Sequence, residues 1–400
     1  MKLGVEVLAS DPKLQARLKG KRVALVAHAA SVTRSMEHSV DALSAAGIRL
    51  SAAFGPQHGM RGEKQYNMIE SDDYLDPTAK IPVFSLYGRV RRPTPEMMAS
   101  FDIALVDLQD VGCRIYTYLT TLLYMLEACA AHKKEVWVLD RPNPAGRPIE
   151  GSYLKKGWES FVGAASLPMR HGLTLAEAAL WMKATFKLDV EIVTVPVEAY
   201  DPTRGPGFGW PDSLPWVNPS PNMPTLAAAR CYPGTVLFEG VNLSEGRGTT
   251  RPLELFGSPT LNAEALKAAL LQKYPAWTKG CALRTCYFEP TFDKFKGQLC
   301  AGLQFHAEGE VYDHEAFRPY RMVLGLFKVL RSTQPGVLQW RDPPYEYEAE
   351  RLPIDLLNGG TEIREWIEDP TAHASDLERM LETDEKRWKE ERKPFLLYAE

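Results

Sequence analysis

Cysteine is sparse in this chain, and the six present form no CxxC pair. In so long a sequence Cys113, Cys129, Cys231, Cys281, Cys286 and Cys300 read as reduced, mostly buried thiols, not a zinc cluster or a disulfide frame. The eight histidines are scattered without HxH or HExxH, so a metal site is poorly supported. Neither sign of charge dominates. Against 51 acidic residues stand 47 basic ones, a balance that argues against a nucleic-acid binder. No apolar run approaches the roughly 20 residues of a membrane span. The opening Met-Lys-Leu-Gly-Val-Glu is not followed by an apolar signal-peptide core, so the cytoplasm is the default expectation. A GxSxG nucleophile elbow is missing. So are GxxxxGK[ST] and a GxGxxG after a strand; the nearest spacing, Gly205-Pro206-Gly207-Phe208-Gly209, lacks the last glycine. A nucleotide-dependent enzyme is therefore weakly supported.

What is present is an ordinary globular balance, 45% hydrophobic and 24% charged, enough to bury a sizeable core. A length of 400 residues suggests two domains. The first half alternates short apolar runs with amphipathic ones. Arg22–His28, Arg49–Phe54, Phe101–Asp107, Glu135–Asp140 and Glu191–Val195 read as strands. Ser35–Ala46, a short stretch from Thr94-Pro95, Tyr118–His132 and Leu175–Phe186 read as helices. This rhythm implies an α/β fold with a parallel sheet covered on both faces. Asp201–Thr225 holds seven prolines and three glycines and reads as a long ordered loop, so a domain boundary is placed there, dividing 1–225 from 226–400. Beyond it, Thr235–Phe238, Arg284–Tyr287 and Leu303–Ala307 look like strands. Ala263–Leu271 and Glu315–Leu330 look like helices, and Ser375–Arg392 like a charged surface helix.

In an open parallel sheet, ligands bind beyond the carboxyl ends of the strands. Each predicted strand here ends in a polar cluster: His28; then Gln57, His58, Arg61 and Glu63; then Asp107, Asp110, Arg114 and Tyr116; then Asp140, Arg141 and Asn143. Singly these are ordinary turn and cap residues. Together they should converge at one rim. A second polar set follows the proline-rich loop, with Asn222, then Glu239, Glu245 and Arg247 in a glycine-bracketed run. His171, just ahead of a helix, reads first as a packing or capping residue. Carboxylates with arginines and asparagines suit sugar chemistry.

At these same residues the sequence resembles the exo-β-N-acetylmuramidases, once known only as a domain of unknown function. The resemblance rests on FGPQHGMRGE at 54–63, DLQDVGCRIYTY at 107–118, DRPNPAGRPIEG at 140–151, MRHGLT at 169–174, PWVNPSPNMPT at 215–225 and PGTVLFEGVNLSEGRGTTRPLEL at 233–255. It implies a Rossmann-like N-terminal domain, a smaller C-terminal α/β domain, and a cleft between them. It also implies removal of terminal N-acetylmuramic acid from peptidoglycan fragments, a small carbohydrate partner, and no cofactor. One position departs from the family's FGPEHG. Gln57 stands where its expected catalytic glutamate would be, and an amide does no general acid–base work. Glu63, Asp110 and Glu245 are the carboxylates that could take over, with Gln57 and His58 beside them and Glu245 favoured. Arg61, Arg114, Tyr116, Asp140, Arg141, Asn143, His171, Asn222, Glu239 and Arg247 would hold the sugar. The alternative is a non-catalytic sugar-binding protein on the same scaffold, favoured by Gln57.

Overall fold

The computed structural model describes residues 1–62, 64, 68–203 and 210–400. Candidate Glu63 and the 205–209 glycine run lie outside the described residues.

Seven strands form the first sheet: β1 (Val23–Ala27), β2 (Leu50–Gly55), β3 (Tyr74–Leu75), β4 (Pro82–Ser85), β5 (Ile103–Asp107), β6 (Glu135–Leu139) and β7 (Ile192–Val195). Their order is β3-β4-β2-β1-β5-β6-β7, parallel throughout except for β3 on β4. The alternation of strand side chains divides the core in two. Ala24, Val26, Val106, Val136 and Val138 face the helices Tyr118–Ala131 and Leu175–Thr185. Leu25, Ala27, Leu105, Trp137 and Leu139 face Leu3, Val5 and Leu8 of the N-terminal segment and Val40 and Leu43. Both faces are thus covered, which is why the strands carry unbroken apolar runs. Strand order reverses between β1 and β5, the switch point at which such sheets open a crevice.

The second sheet is antiparallel: β8 (Leu255–Ser258), β9 (Ala282–Phe288) and β10 (Cys300–His306), in the order β8-β10-β9. The helices Ala263–Lys273 and Pro319–Thr333 contribute to its apolar core. The helix Leu226–Thr235 approaches Pro319–Thr333 so closely that a Cβ at Gly234 would lie 2.1 Å from the Pro319 carbonyl oxygen.

Three expectations change. Thr235–Phe238 is no strand: the helix from Leu226 runs to Thr235 and tightens into a 3₁₀ turn over Val236–Gly240. A short, fully buried apolar run carries no period, and Phe238 finds its partner by stacking on Phe256, centroids 4.3 Å apart. The helix expected from Glu315 starts at Pro319, whose ring suits the first helical turn. The charged helix Ala374–Arg392 is more than a surface element. It buries Leu377, Leu381 and Trp388, and the Trp388 indole donates to the His171 carbonyl (2.7 Å), so the C-terminal segment is fastened across the first domain.

The helix Leu175–Thr185 opens on a capping box. The Thr174 side chain accepts from the Glu177 amide, and the Glu177 carboxylate accepts from the Thr174 amide (2.8 Å). Thr174→Ala is expected to cost about 1 kcal/mol, read by urea unfolding with an unchanged slope. All six cysteines are free, and five are buried. Among the described residues no helix is long and apolar enough to cross a membrane.

Candidate active site

The loops after β2 and β5 meet the second domain around a small, partly enclosed cavity of about 30 Å³. Its wall includes Gln57, His58, Tyr116, Asn222, Glu239 and Arg247 from the predicted set. It also includes Thr117, Ser220, Tyr345 and Glu346, which sequence reasoning missed.

Glu346 is the most unusual of these. It is only 4% exposed, and among the described residues no cation is bonded to it. The Tyr87 hydroxyl donates to one of its oxygens (2.8 Å) and the Gln57 amide nitrogen to the other (3.2 Å). Burial pushes its carboxyl up to about 7; the nearby Glu239 charge adds to this, and the Tyr87 and Gln57 bonds oppose it. The amide of Gln57 is oriented from behind, because the Thr117 hydroxyl donates to its oxygen (2.8 Å) and so turns the NH₂ toward Glu346.

The backbone that presents Glu346 is strained. Tyr345 and Glu348 exchange both amide–carbonyl bonds (2.9 Å each), closing a two-residue hairpin turn. Its central residues, Glu346 and Tyr347, have φ of 45° and 69°. Such a turn favours Asn-Gly, and each side chain held there costs about 1–2 kcal/mol over glycine. Such strain persists only where the surrounding structure holds it, here through the paired Tyr345 and Glu348 backbone and the Tyr87 and Gln57 bonds to Glu346.

Beside it lies a charged cluster. Arg247 donates to Glu239 (2.7 Å) and to Glu245 (3.0 Å). The Tyr345 hydroxyl donates to the other Glu239 oxygen (2.7 Å). Lys294 donates to Glu245 (2.8 Å) and to the Phe238 and Leu243 carbonyls. Burial alone would raise the Glu245 carboxyl, but Lys294 and Arg247 outweigh it and hold it below the usual range. Glu239 thus borders the cavity. Glu245 sits behind it with one oxygen on Arg247 and the other on Lys294.

His58 is nine-tenths buried, with φ of 73°. Burial pushes its imidazole down to about 4, with the Lys64 carbonyl opposing and the Arg247 charge assisting. Its Nδ1 therefore donates to the Lys64 carbonyl (2.9 Å), and Nε2 keeps its lone pair. The Tyr116 hydroxyl is buried without a well-formed hydrogen bond, with Ser220 and Tyr118 as its polar neighbours.

The other predicted residues among those described do not line this cavity. Asp110 accepts from the Gly112 amide (2.7 Å) and stands 3.4 Å from His171. Its turn needs glycine: Gly112 has φ of 76°, and a Cβ there would come 2.3 Å from the Asn143 oxygen. Asn143 in turn ties to Leu173 and Ala145. Arg141 forms a buried pair with Asp107 (2.6 Å). Arg114 spans Ser152, Leu167 and Leu357 carbonyls, and Asp140 holds the Ala176 amide and the Tyr398 hydroxyl. Arg61 pairs with Asp76 at a separate pocket. The strand ends do converge, but on one another, because buried charges must pair. Among the described residues no group of three or more His, Cys, Asp or Glu is placed to hold a metal ion.

Residues 23–227 match the family model "exo-β-N-acetylmuramidase NamZ, N-terminal", and residues 230–398 match its C-terminal counterpart. The peptidoglycan β-N-acetylmuramidase NamZ of Bacillus subtilis is 37% identical over 99% of this chain and 91% of its own length. Two solved DUF1343 family proteins from Bacteroides fragilis superpose with TM-scores of 0.85 and 0.75, at 28% and 27% identity. Both matches cover all of this chain and 99% of the other. By these matches over both halves, the chain belongs to the exo-β-N-acetylmuramidase NamZ family.

Proposed function

We propose that this chain is a glycoside hydrolase that releases terminal N-acetylmuramic acid from peptidoglycan fragments, with Glu346 as its proton donor. The observation that carries the assignment of Glu346 is a buried carboxyl, tuned to about 7, between two hydrogen-bond donors at the cavity wall. A carboxyl near neutrality can be protonated when substrate binds and still give its proton up. As the bond from the anomeric carbon to the glycosidic oxygen lengthens, Glu346 passes its proton to that oxygen. Positive charge grows on the sugar ring, and the Glu239 carboxylate faces it. Water then bonds to the anomeric carbon and supplies the hydroxyl of the released sugar, and its second proton returns to the Glu346 carboxylate. Gln57 does no proton transfer; it positions Glu346. An ionisable carboxyl directly beside the amide supports catalysis over the non-catalytic alternative. Arg247 is occupied by two carboxylates and acts by holding Glu239 in place.

The cavity has room for a water or two, so a sugar ring enters only as its wall parts. We place the activity in the cytoplasm on imported fragments, a reading supported by six unpaired cysteines; native protein found outside the cell would contradict it.

Release of sugar from a chromogenic β-N-acetylmuramide, compared with the matching β-N-acetylglucosaminide, tests the function. Cleavage of the muramide alone is the expected result, and cleavage of neither overturns it. Thr117→Val frees the Gln57 amide to turn its oxygen toward Glu346. Losing one buried hydrogen bond should lower kcat about tenfold while the melting temperature stays within a few degrees. An unchanged kcat would mean that the amide orientation is irrelevant.

A further inference from the structure

Glu346 borders two spaces. Inward is the small, more enclosed cavity; outward is an open groove of about 510 Å³, lined among others by Arg91, Tyr124, Phe161 and Tyr347. The residue dividing them is the proposed proton donor, so the bond that it protonates lies at that junction. The terminal sugar then occupies the more enclosed side, and whatever leaves must occupy the open side.

The open side has a prepared surface. Tyr347 is 50% exposed, yet its ring is fixed at three points. The Arg91 guanidinium lies 3.2 Å from the ring centroid, the hydroxyl donates to Glu70 (3.2 Å), and the Tyr87 ring meets it edge-on at 5.9 Å. A stacking face fixed in advance saves the entropy of ordering it when a ligand arrives.

Charge decides the occupant. Four arginines border the groove, but three are already paired: Arg91 with Glu70, Arg92 with Glu127 and Arg351 with Glu348. Arg89 stands 4.0 Å from Asp73 in open solvent, where such pairs are weak. A groove whose cations are neutralised this way selects little for anions. It suits a neutral ring with an apolar face and hydroxyls at its rim.

Resting on the muramidase reading, we propose that this groove is the leaving-group subsite, and that Tyr347 is the platform on which a neutral amino-sugar ring stacks. The turn thus serves both sides of the scissile bond, with Glu346 facing in and Tyr347 facing out.

The test compares two substrates that both need a proton from Glu346: methyl β-N-acetylmuramide, whose methanol cannot reach the groove, and the disaccharide in which N-acetylmuramic acid is linked to N-acetylglucosamine. Tyr347→Gly removes the ring at a φ that glycine adopts freely. It should lower kcat/KM for the disaccharide about tenfold, mostly through KM, and leave the methyl glycoside within about twofold. Tyr347→Phe, which keeps the ring, should restore the disaccharide rate. The wild-type KM for the disaccharide should change little with added salt. Equal losses on both substrates would show that the ring only steadies Glu346 and would overturn the subsite. A steep salt dependence would overturn the neutral occupant. No cleavage of either substrate by the wild-type protein would overturn the hydrolase reading beneath it.

Discussion

Glu346→Gln is expected to lower kcat on a β-N-acetylmuramide with an alcohol leaving group by roughly 10²- to 10⁴-fold, the usual worth of a positioned proton donor. The same variant should retain most of its activity on the corresponding glycosyl fluoride, because fluoride leaves without protonation. Loss on both substrates would assign Glu346 to binding and not to proton transfer. The wild-type rate on the alcohol substrate should fall as pH rises through about 7, where the Glu346 carboxyl ionises. The same group has a stability signature. Its folded value, about 7, lies above the ordinary carboxyl value near 4.3, so between these the folded protein binds more protons than the unfolded one. Stability from this group is therefore full below about pH 4 and declines as pH rises toward 7, by an amount on the order of 3 kcal/mol. Glu346→Gln removes that penalty. It should gain on wild type at about pH 8 in a melting experiment, relative to any difference at about pH 4. A variant with lost activity and no pH-dependent change in relative stability would place the raised titration elsewhere.

Arg247→Met should be the most destabilising single change at the site, by about 3–5 kcal/mol in denaturant unfolding. Arg247 is 5% exposed and neutralises Glu239 and Glu245 together, and the substitution leaves the buried Glu239 without that cation while it still accepts from the Tyr345 hydroxyl. Lys294 still serves Glu245, so the added substitution Glu239→Gln should recover part of the loss. The sign with pH is the reverse of that for Glu346. The Glu245 carboxyl is held low by Lys294 and Arg247 against its burial, so its stabilising contribution exists above the ordinary carboxyl value and is lost as pH falls through the folded one. The gap between wild type and Arg247→Met should narrow in acid. A loss below about 1 kcal/mol would show that the cluster is hydrated and not a buried network.

Much of the fold was legible in residue order. The runs VALVA and IALVD are apolar at every position because the sheet is covered on both faces, and no other placement buries them as well. The capping Thr174 and the helix-starting Pro95 and Pro319 likewise act through their near neighbours. The short run Thr235–Phe238 was not legible, since a fully buried segment has no polar alternation to betray its period.

The site was legible in part, and the division has a physical cause. Gln57, His58, Tyr116, Asn222, Glu239 and Arg247 could be proposed because they follow strands or lie in a glycine-bracketed polar run. Nothing local tells such a residue from Asp107, Arg141 or Glu245, which have the same chemistry but stand away from the cavity wall, Asp107 paired with Arg141 and Glu245 with Arg247 and Lys294. Only the pairing geometry separates them. Glu346 gave no turn signal, because Glu-Tyr is a poor pair for a turn with positive φ at both central residues. The one available clue was the alternation of tyrosine and glutamate at Tyr345–Glu348. By itself, then, the sequence determined the α/β architecture and the chemical kinds of residue at the rim, because local periodicity and strand ends are properties of neighbours in the chain. The tertiary structure alone decided which carboxyl stays protonated, because that depends on burial and on Gln57, Tyr87 and Glu239, groups distant from Glu346 in the chain and brought to it only by the fold.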